Sequence, residues 1–257
     1  MKRFSIFLLC LVSMLNTFAW GPKGHRIAAQ VAYDHLTTKT RKQVDHVLGT
    51  HGMVYLSTWP DEIKSDTIYP ESHDWHYQDL DGGLSDEAVV ATLTNYPEVG
   101  GNMFRALDSL ALLLKNEPNN HDALVFYVHL LADRYCPMHV AHLDDKGGNA
   151  VRMKWFGQNT NLHSVWDSKI VEHKGFSYTE YANYLHDVYG HKKQEILSMT
   201  PEQTLLYTYH LTSDVYEYQS LWSGNAYHYV YEWADEMEYQ LYMAGVKLAQ
   251  SLNQIYK

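Results

Sequence analysis

From Trp20 onward the hydrophobic positions recur with a helical period. Ile27, Ala28, Val31, Ala32 and Leu36 follow the i, i+3, i+4 rhythm of a buried helix face, and Met103, Ala106, Leu107, Leu110, Leu113 and Leu114 repeat it. Asn119 or Asn120 can cap a further helix through Ala123 to about Tyr135, because a short side-chain oxygen accepts from the open N–H groups of a first turn. Pro137, lacking an N–H, ends it. Asn161 stands in the same capping position before a helix over 162 to about 173. Two longer amphipathic stretches rich in Tyr and Leu, about 201–221 and 227–255, complete the helical part. Extended candidates are few: 72–80, and 150–156 preceded by the turn Asp145-Lys146-Gly147-Gly148. No repeat, low-complexity block or Pro/Gly/Ser-rich linker divides 20–257. The pattern therefore predicts the all-α fold class: one mainly helical domain, a bundle of eight to ten helices with little or no short β.

The first nineteen residues follow a different rule. Lys2 and Arg3 precede an apolar run from Phe4 to Leu15, and small Thr17 and Ala19 follow, which reads as a secretory signal cleaved before Trp20. The run is too short for a membrane span. Removing 1–19 leaves 238 residues, moves the net charge from −10 to −12, and discards one of the two cysteines. The exported chain then carries the single thiol Cys136, so no intrachain disulfide can form. Acidic residues outnumber basic ones 30 to 20, which argues against a polybasic nucleic-acid or membrane-surface binder.

Sixteen histidines change the picture more. His35, His46, His51, His121, His173, His186, His191, His210 and His228 stand without ligating company and read as structural or exposed. The rest include two pairs at i, i+4, His129 with Asp133 and His163 with Asp167, and that spacing places an imidazole and a carboxylate on one helix face. Histidine plus carboxylate without thiolate is the donor set of catalytic zinc. An i, i+4 polar pair is usually a solvated face. Here, however, His129 is surrounded by Leu124, Val125, Phe126, Val128, Leu130 and Leu131, so Asp133 enters an apolar environment where a carboxylate needs a partner or a metal. His139, just beyond Pro137-Met138, can turn another imidazole toward the same region.

These residues carry a resemblance. His129-Leu-Leu-Ala-Asp133, Cys136-Pro-Met-His139, Gly147-Gly-Asn149, Phe156-Gly157 and Asn161-Leu-His163-Ser-Val-Trp166-Asp167 resemble the zinc-dependent single-strand-specific nucleases and 3′-nucleotidases typified by the fungal S1 and P1 enzymes. Trp20-Gly21, His25, Trp59-x-Asp61 and His76-Tyr-x-Asp79 match upstream, and beyond Asp167 the likeness thins to Ala244-Gly-Val-Lys-Leu-Ala249 with Leu252-Asn253. The resemblance implies three zinc ions. Asp61, His76, His129 and Asp133 would hold one; Asp133, His25 and the α-amino and carbonyl groups of Trp20 a second; and His139, His163 and Asp167 a third. It further implies attack by a metal-activated hydroxide on a phosphodiester of single-stranded DNA or RNA, 5′-phosphate products, and 3′-nucleotides as substrates. Asp79, with Asp81 as its rival, would orient the water, and Asn149 would shape the phosphate site. Three dications would bring the net charge of −12 to about −6 while making the cleft positive. The protein is expected to act as a monomer, without a membrane or protein partner, in the periplasm or medium. The alternatives are a zinc-dependent phospholipase C, which shares the helical three-zinc scaffold, and a non-catalytic periplasmic zinc-binding protein.

Overall fold

The computed structural model describes residues 20–64 and 67–257; the expected signal segment 1–19 lies outside the described residues. The chain runs through α1 (Pro22–His35), α2 (Thr38–Leu48), α3 (Gly52–Leu56), α4 (Trp59–Glu62), α5 (Asp86–Ala91), α6 (Met103–Asn116) and α7 (His121–Asp133). After a hairpin of β1 (Arg152–Trp155) and β2 (Gln158–Asn161) come α8 (Leu162–Ser164) and α9 (Ile170–Glu172), then α10 (Tyr178–Tyr189), α11 (Lys193–Ser198), α12 (Pro201–Leu221) and α13 (Ala226–Ile255). The described residues thus form the mainly helical domain expected, with one small antiparallel pair as its sheet.

Its axis is α7. Every residue from Ala123 to Asp133 is buried, which is why this segment is apolar all round rather than on one stripe. Asn120 caps it, accepting from the Ala123 N–H at 3.0 Å. Against α7 pack α1 and the 30-residue α13, which also pack on each other. The two approach closely at Gly245, where a Cβ would lie 2.5 Å from the Cβ of Val31. That contact requires glycine in the middle of a long helix, a position where it otherwise costs stability. Elsewhere local chemistry defines the ends: Thr200 and Gln203 form a capping box on α12, Ser177 and Glu180 one on α10.

Two expectations need correction. Residues 72–80 are not one extended segment. Pro70–His76 forms 3₁₀ turns, Pro at the start tolerating the missing N–H, and Tyr69 and Trp75 set their rings edge-on to Phe126 at 5.3 and 5.2 Å. Only Gln78 and Leu80 beyond it form isolated bridges, to Gly101 and His142. Second, the helix after Asn161 is not regular: α8 and α9 are joined by a π turn over Val165–Lys169 that contains Asp167. The 150–156 segment does become strand, and its partner Gln158–Asn161 pairs so that Arg152 faces Asn161 and Trp155 faces Gln158. The connecting residues Phe156 and Gly157 take φ of 47° and 83°, the left-handed geometry of a tight hairpin turn.

Candidate metal centre

Six short segments bring their polar side chains to one end of α7. His25 comes from α1, Asp61 from α4, His76 from the last position of the 3₁₀ turns, His129 and Asp133 from α7, and His139 from the turn after Pro137. His163 and Asp167 follow from α8 and its π turn. All eight are buried. Asp133 is the hub. One of its oxygens, Oδ1, lies 3.1 Å from His25 Nε2, and the other, Oδ2, lies 3.3 Å from His76 Nδ1 and 3.2 Å from His129 Nε2. Asp61 approaches the same three imidazoles at 3.6–3.9 Å. The rings of His25 and His129 stack with centroids 3.7 Å apart, and His139 lies 5.2 Å from His163.

Backbone carbonyls aim several of these rings. His129 Nδ1 is 2.7 Å from the Ser57 carbonyl, His139 Nδ1 is 2.5 Å from that of His76, and His163 Nδ1 is 2.8 Å from that of Gly147. A ring that donates Nδ1–H to a carbonyl presents Nε2 as a lone pair, the tautomer a metal ligand needs. The consequence shows in the atoms left over. His25 Nδ1 and Nε2, His76 Nε2, His139 Nε2, Asp133 Oδ1 and Asp167 Oδ1 are buried without a hydrogen-bond partner. A buried polar group left unpaired costs about 1–3 kcal/mol, and folded proteins rarely tolerate several in one place. His76 Nδ1 does bond to His129 Nε2 at 3.0 Å and to Asp133 Oδ2 at 3.3 Å, but the atoms left over are imidazole nitrogens and carboxylate oxygens gathered in one place, the donors a bound cation requires, so these residues fit a zinc cluster. Among the described residues, His25-Asp61-His129, His76-His129-Asp133 and Cys136-His139-Asp167 each place their donor atoms within 4.8 Å of one another.

Burial and charge set the protonation states to match. Burial holds His76 and His139 at about 3 and also lowers His25, leaving these imidazoles neutral. Burial alone would raise Asp133, but His129 pulls it well below the usual carboxylate range, and the charges of Asp133 and Asp61 in turn raise His129 against its own burial. Asp167 goes the other way: burial, then the charges of Asp61 and Asp133, push it well up, a like-charge crowding that a dication would relieve. Cys136 is buried and its thiol is pushed up, by burial first and by Asp167 next, so it stays protonated.

Trp20 is fully buried beside this cluster. Its indole donates to the Ala132 carbonyl at 3.0 Å, and the Gly21 N–H donates to the Asp167 carbonyl at 2.8 Å. The Trp20 main chain is thereby held between the segments that carry Asp133 and Asp167. A Cβ on Gly21 would come within 2.2 Å of Ser168 Oγ, so any larger residue here would require the Ser168 side chain to move.

Next to the cluster opens a cavity of about 370 Å³ walled by Asp79, His139, Asn149 and His163, with Tyr77 and Lys146. Asp79 is buried, and burial followed by the charge of Asp145 raises it to about 8. Asp81 is exposed, its carbonyl accepting from Tyr209 Oη at 2.8 Å, so of the two carboxylates it is Asp79 that lines the cavity. Gly147 explains the Gly-Gly-Asn motif. With φ of 62°, it passes so near that a Cβ would sit 2.7 Å from the Met138 carbonyl and 3.1 Å from Asp79 Oδ1. Asn149 donates to the Lys146 carbonyl at 2.8 Å, closing the same turn.

Sequence reasoning passed over Lys64. Its Nζ lies 2.6 Å from Asp61 Oδ1, and its charge also reaches His76, His139 and Asp167. The i, i+3 spacing from Asp61 was the available signal.

A family model described as S1/P1 nuclease matches residues 20–257. The chain belongs to the S1/P1 nuclease family. Among curated relatives, Endonuclease 2 of Arabidopsis thaliana is 28% identical over 172 residues, covering 61% of this chain and 58% of the relative. Endonuclease 4 of the same plant is 27% identical over 184 residues, covering 64% and 60%. Nuclease S1 of Aspergillus oryzae is 27% identical over 169 residues, covering 63% and 58%. The matched part thus spans about three-fifths of each relative. In this S1/P1 family member the match begins at Trp20, the residue whose main chain lies against Asp167.

Proposed function

We propose that this protein is a zinc-dependent endonuclease that hydrolyses single-stranded DNA and RNA to 5′-phosphate products and also removes phosphate from 3′-nucleotides. The observation that carries the reading is Asp133, with three imidazoles within 3.3 Å of its two oxygens and buried, unpartnered donor atoms of His25, His76, Asp61 and Asp167 in the same centre. Trp20, His25, Asp61, His76, His129 and Asp133 would hold two ions bridged by Asp133, and His139, His163 and Asp167 a third. Bound zinc supplies a Lewis acid and lowers the pKa of water from 15.7 to about 7.

The chain's own residues do the remaining work. Asp79 faces the cavity shared with His139 and His163 and can hold or accept a proton there. Lys64 places a cation on Asp61 beside the cluster, where it would add to the attraction for phosphate. Asn149 and Lys146 also line this cavity and would orient an entering phosphate. The walls also include Tyr77, against which an unpaired base can lie. A duplex holds its bases and phosphates at fixed separation and cannot lower one phosphate into a recess of this size, hence the single-strand preference. Export is part of the same proposal: cleavage before Trp20 creates the free amine. Among the described residues no helix is long and apolar enough to cross a membrane.

The test is an activity panel on zinc-loaded protein beginning at Trp20, with single- and double-stranded DNA, RNA, 3′-AMP and phosphatidylcholine. Cleavage of the single strands and 3′-AMP, abolished by His129→Ala, is expected. Hydrolysis of phosphatidylcholine alone would assign a phospholipase C instead, and zinc-loaded protein inert on every phosphoester would assign a zinc-binding protein.

A further inference from the structure

Helix α7 has two working faces. His129 and Asp133 point to the metal centre, while Tyr127 and Leu131, about half a turn away, wall a second cavity of about 460 Å³ on the far side. Arg134, just past the helix end, and Lys247 from α13 enter this cavity, and Phe104, Thr204 and Gln250 complete its interior. Its volume lies within the range of small-molecule sites, about 300–1,000 Å³.

The two cations are unusual for their setting. Lys247 is 8% exposed, and burial, then the neighbouring Arg134 charge, pull it below its ordinary value. Lys247 Nζ donates to the Met199 carbonyl at 2.6 Å and to Gln250 Oε1 at 2.9 Å; an Arg134 Nη donates to the Pro201 carbonyl at 2.7 Å. These neutral acceptors tie down the loop into α12 but cancel no charge. Arg134 Nε is buried without a partner. Among the described residues neither cation has a carboxylate within 4.0 Å. The acidic wall residues, Asp108 and Glu202, are both exposed at the rim. Asp108 is engaged by Tyr96 Oη at 2.6 Å, and Glu202, in the first turn of α12, is held below its ordinary value by the Thr200 hydroxyl first, then by its own backbone N–H, with the Arg134 charge adding to both. The interior is therefore cationic and its mouth acidic. Two like charges line one cavity, offset by the rim carboxylates Asp108 and Glu202, and an anion lying between them would relieve their repulsion.

We propose that this cavity is a second ligand site for a phosphate monoester with an aromatic body, of the mononucleotide class. The phosphate would lie between the Arg134 guanidinium and the Lys247 ammonium, and the ring system against Phe104, Tyr127 and Leu131. The site is separate from the metal centre, with α7 between them.

Calorimetric titration of zinc-loaded protein with 5′-AMP tests this, beside Arg134→Gln, Lys247→Gln and Gln254→Trp, the last placing a ring at the exposed rim while leaving both cations. Wild-type protein is expected to show two classes of site. Each variant should lose one class or weaken it at least tenfold, with zinc content and kcat on a single-stranded oligonucleotide unchanged. Inorganic phosphate competing for that class would place recognition in the phosphate, and competition by 5′-AMP alone would place it in the whole nucleotide. A single class in wild-type protein, two unchanged classes in all three variants, or adenosine binding as tightly as 5′-AMP would overturn it.

Discussion

Asp79 is the residue on which the proposed chemistry makes its sharpest demand. It lines the cavity beside the cluster without being one of the nine proposed ligands, so Asp79→Asn should lower kcat on a single-stranded oligonucleotide by about 10²–10⁴-fold and leave zinc content unchanged. Unaltered kcat would remove it from that role. The buried imidazoles make a second demand, on stability. In the metal-free protein His76 and His139 are held at about 3 and His35 at about 4, against 6.5 in an unfolded chain. Between these values the unfolded state binds more protons than the folded one, so stability falls as pH falls from about 6.5 toward 3. Asp79, raised to about 8, contributes with the opposite sign, losing its stabilising proton as pH rises through that value. Denaturant midpoints of chelator-treated protein should thus decline on acidification from pH 7 to 4, and a flat profile would contradict the burial of neutral imidazoles. At this scale much of the candidate centre was legible. His129, Asp133, His163 and Asp167 announce themselves by spacing inside apolar sequence. His25, Asp61 and His76 come from three other segments, and only tertiary packing brings them to Asp133, so their grouping came from resemblance. Lys64 escaped because an i, i+3 charge pair is ordinary on any helix surface.

Among the elements, the helices were legible where hydrophobic period, cap and stop coincide. Asn120 and Pro137 bracket α7, and Thr200 with Pro201 opens α12. Legibility failed where local chemistry was outweighed by packing. Residues 70–76 coil into 3₁₀ turns because Tyr69 and Trp75 seat on Phe126, a contact across more than fifty residues. The π turn around Asp167 has no composition signature either, and π turns concentrate at functional sites. The α1–α13 contact yields a direct test. Gly245→Ala forces a Cβ against Val31 and should cost about 1–3 kcal/mol, lowering Tm by several degrees in thermal denaturation. Gly190→Ala is the control: no heavy atom lies within 4 Å of its would-be Cβ, and its Tm should stay close to wild type. Equal Tm in both variants would mean that α1 and α13 do not approach as described.

For the whole molecule, charge and chain end acquire a joint meaning. The acidic balance is a property of the whole chain, while the centre gathers buried His and Asp donors in one place, so net charge alone does not decide what the proposed site would bind. The chain end matters because an amide nitrogen has its lone pair delocalised and an amine does not. Protein beginning at Trp20 should hold about one zinc more, by elemental analysis, than protein carrying one added residue before it; equal contents would detach Trp20 from the cluster. The central claim, a metal-dependent attack confined to single strands, is tested most directly by adding zinc back to chelator-stripped protein that begins at Trp20. Cleavage of a labelled oligonucleotide and of its duplex would be followed together. The account predicts no cleavage without metal, recovery on zinc addition, 5′-phosphate termini, and much faster loss of the single strand. Full cleavage in the presence of chelator, or equal rates on strand and duplex after zinc is restored, would contradict it.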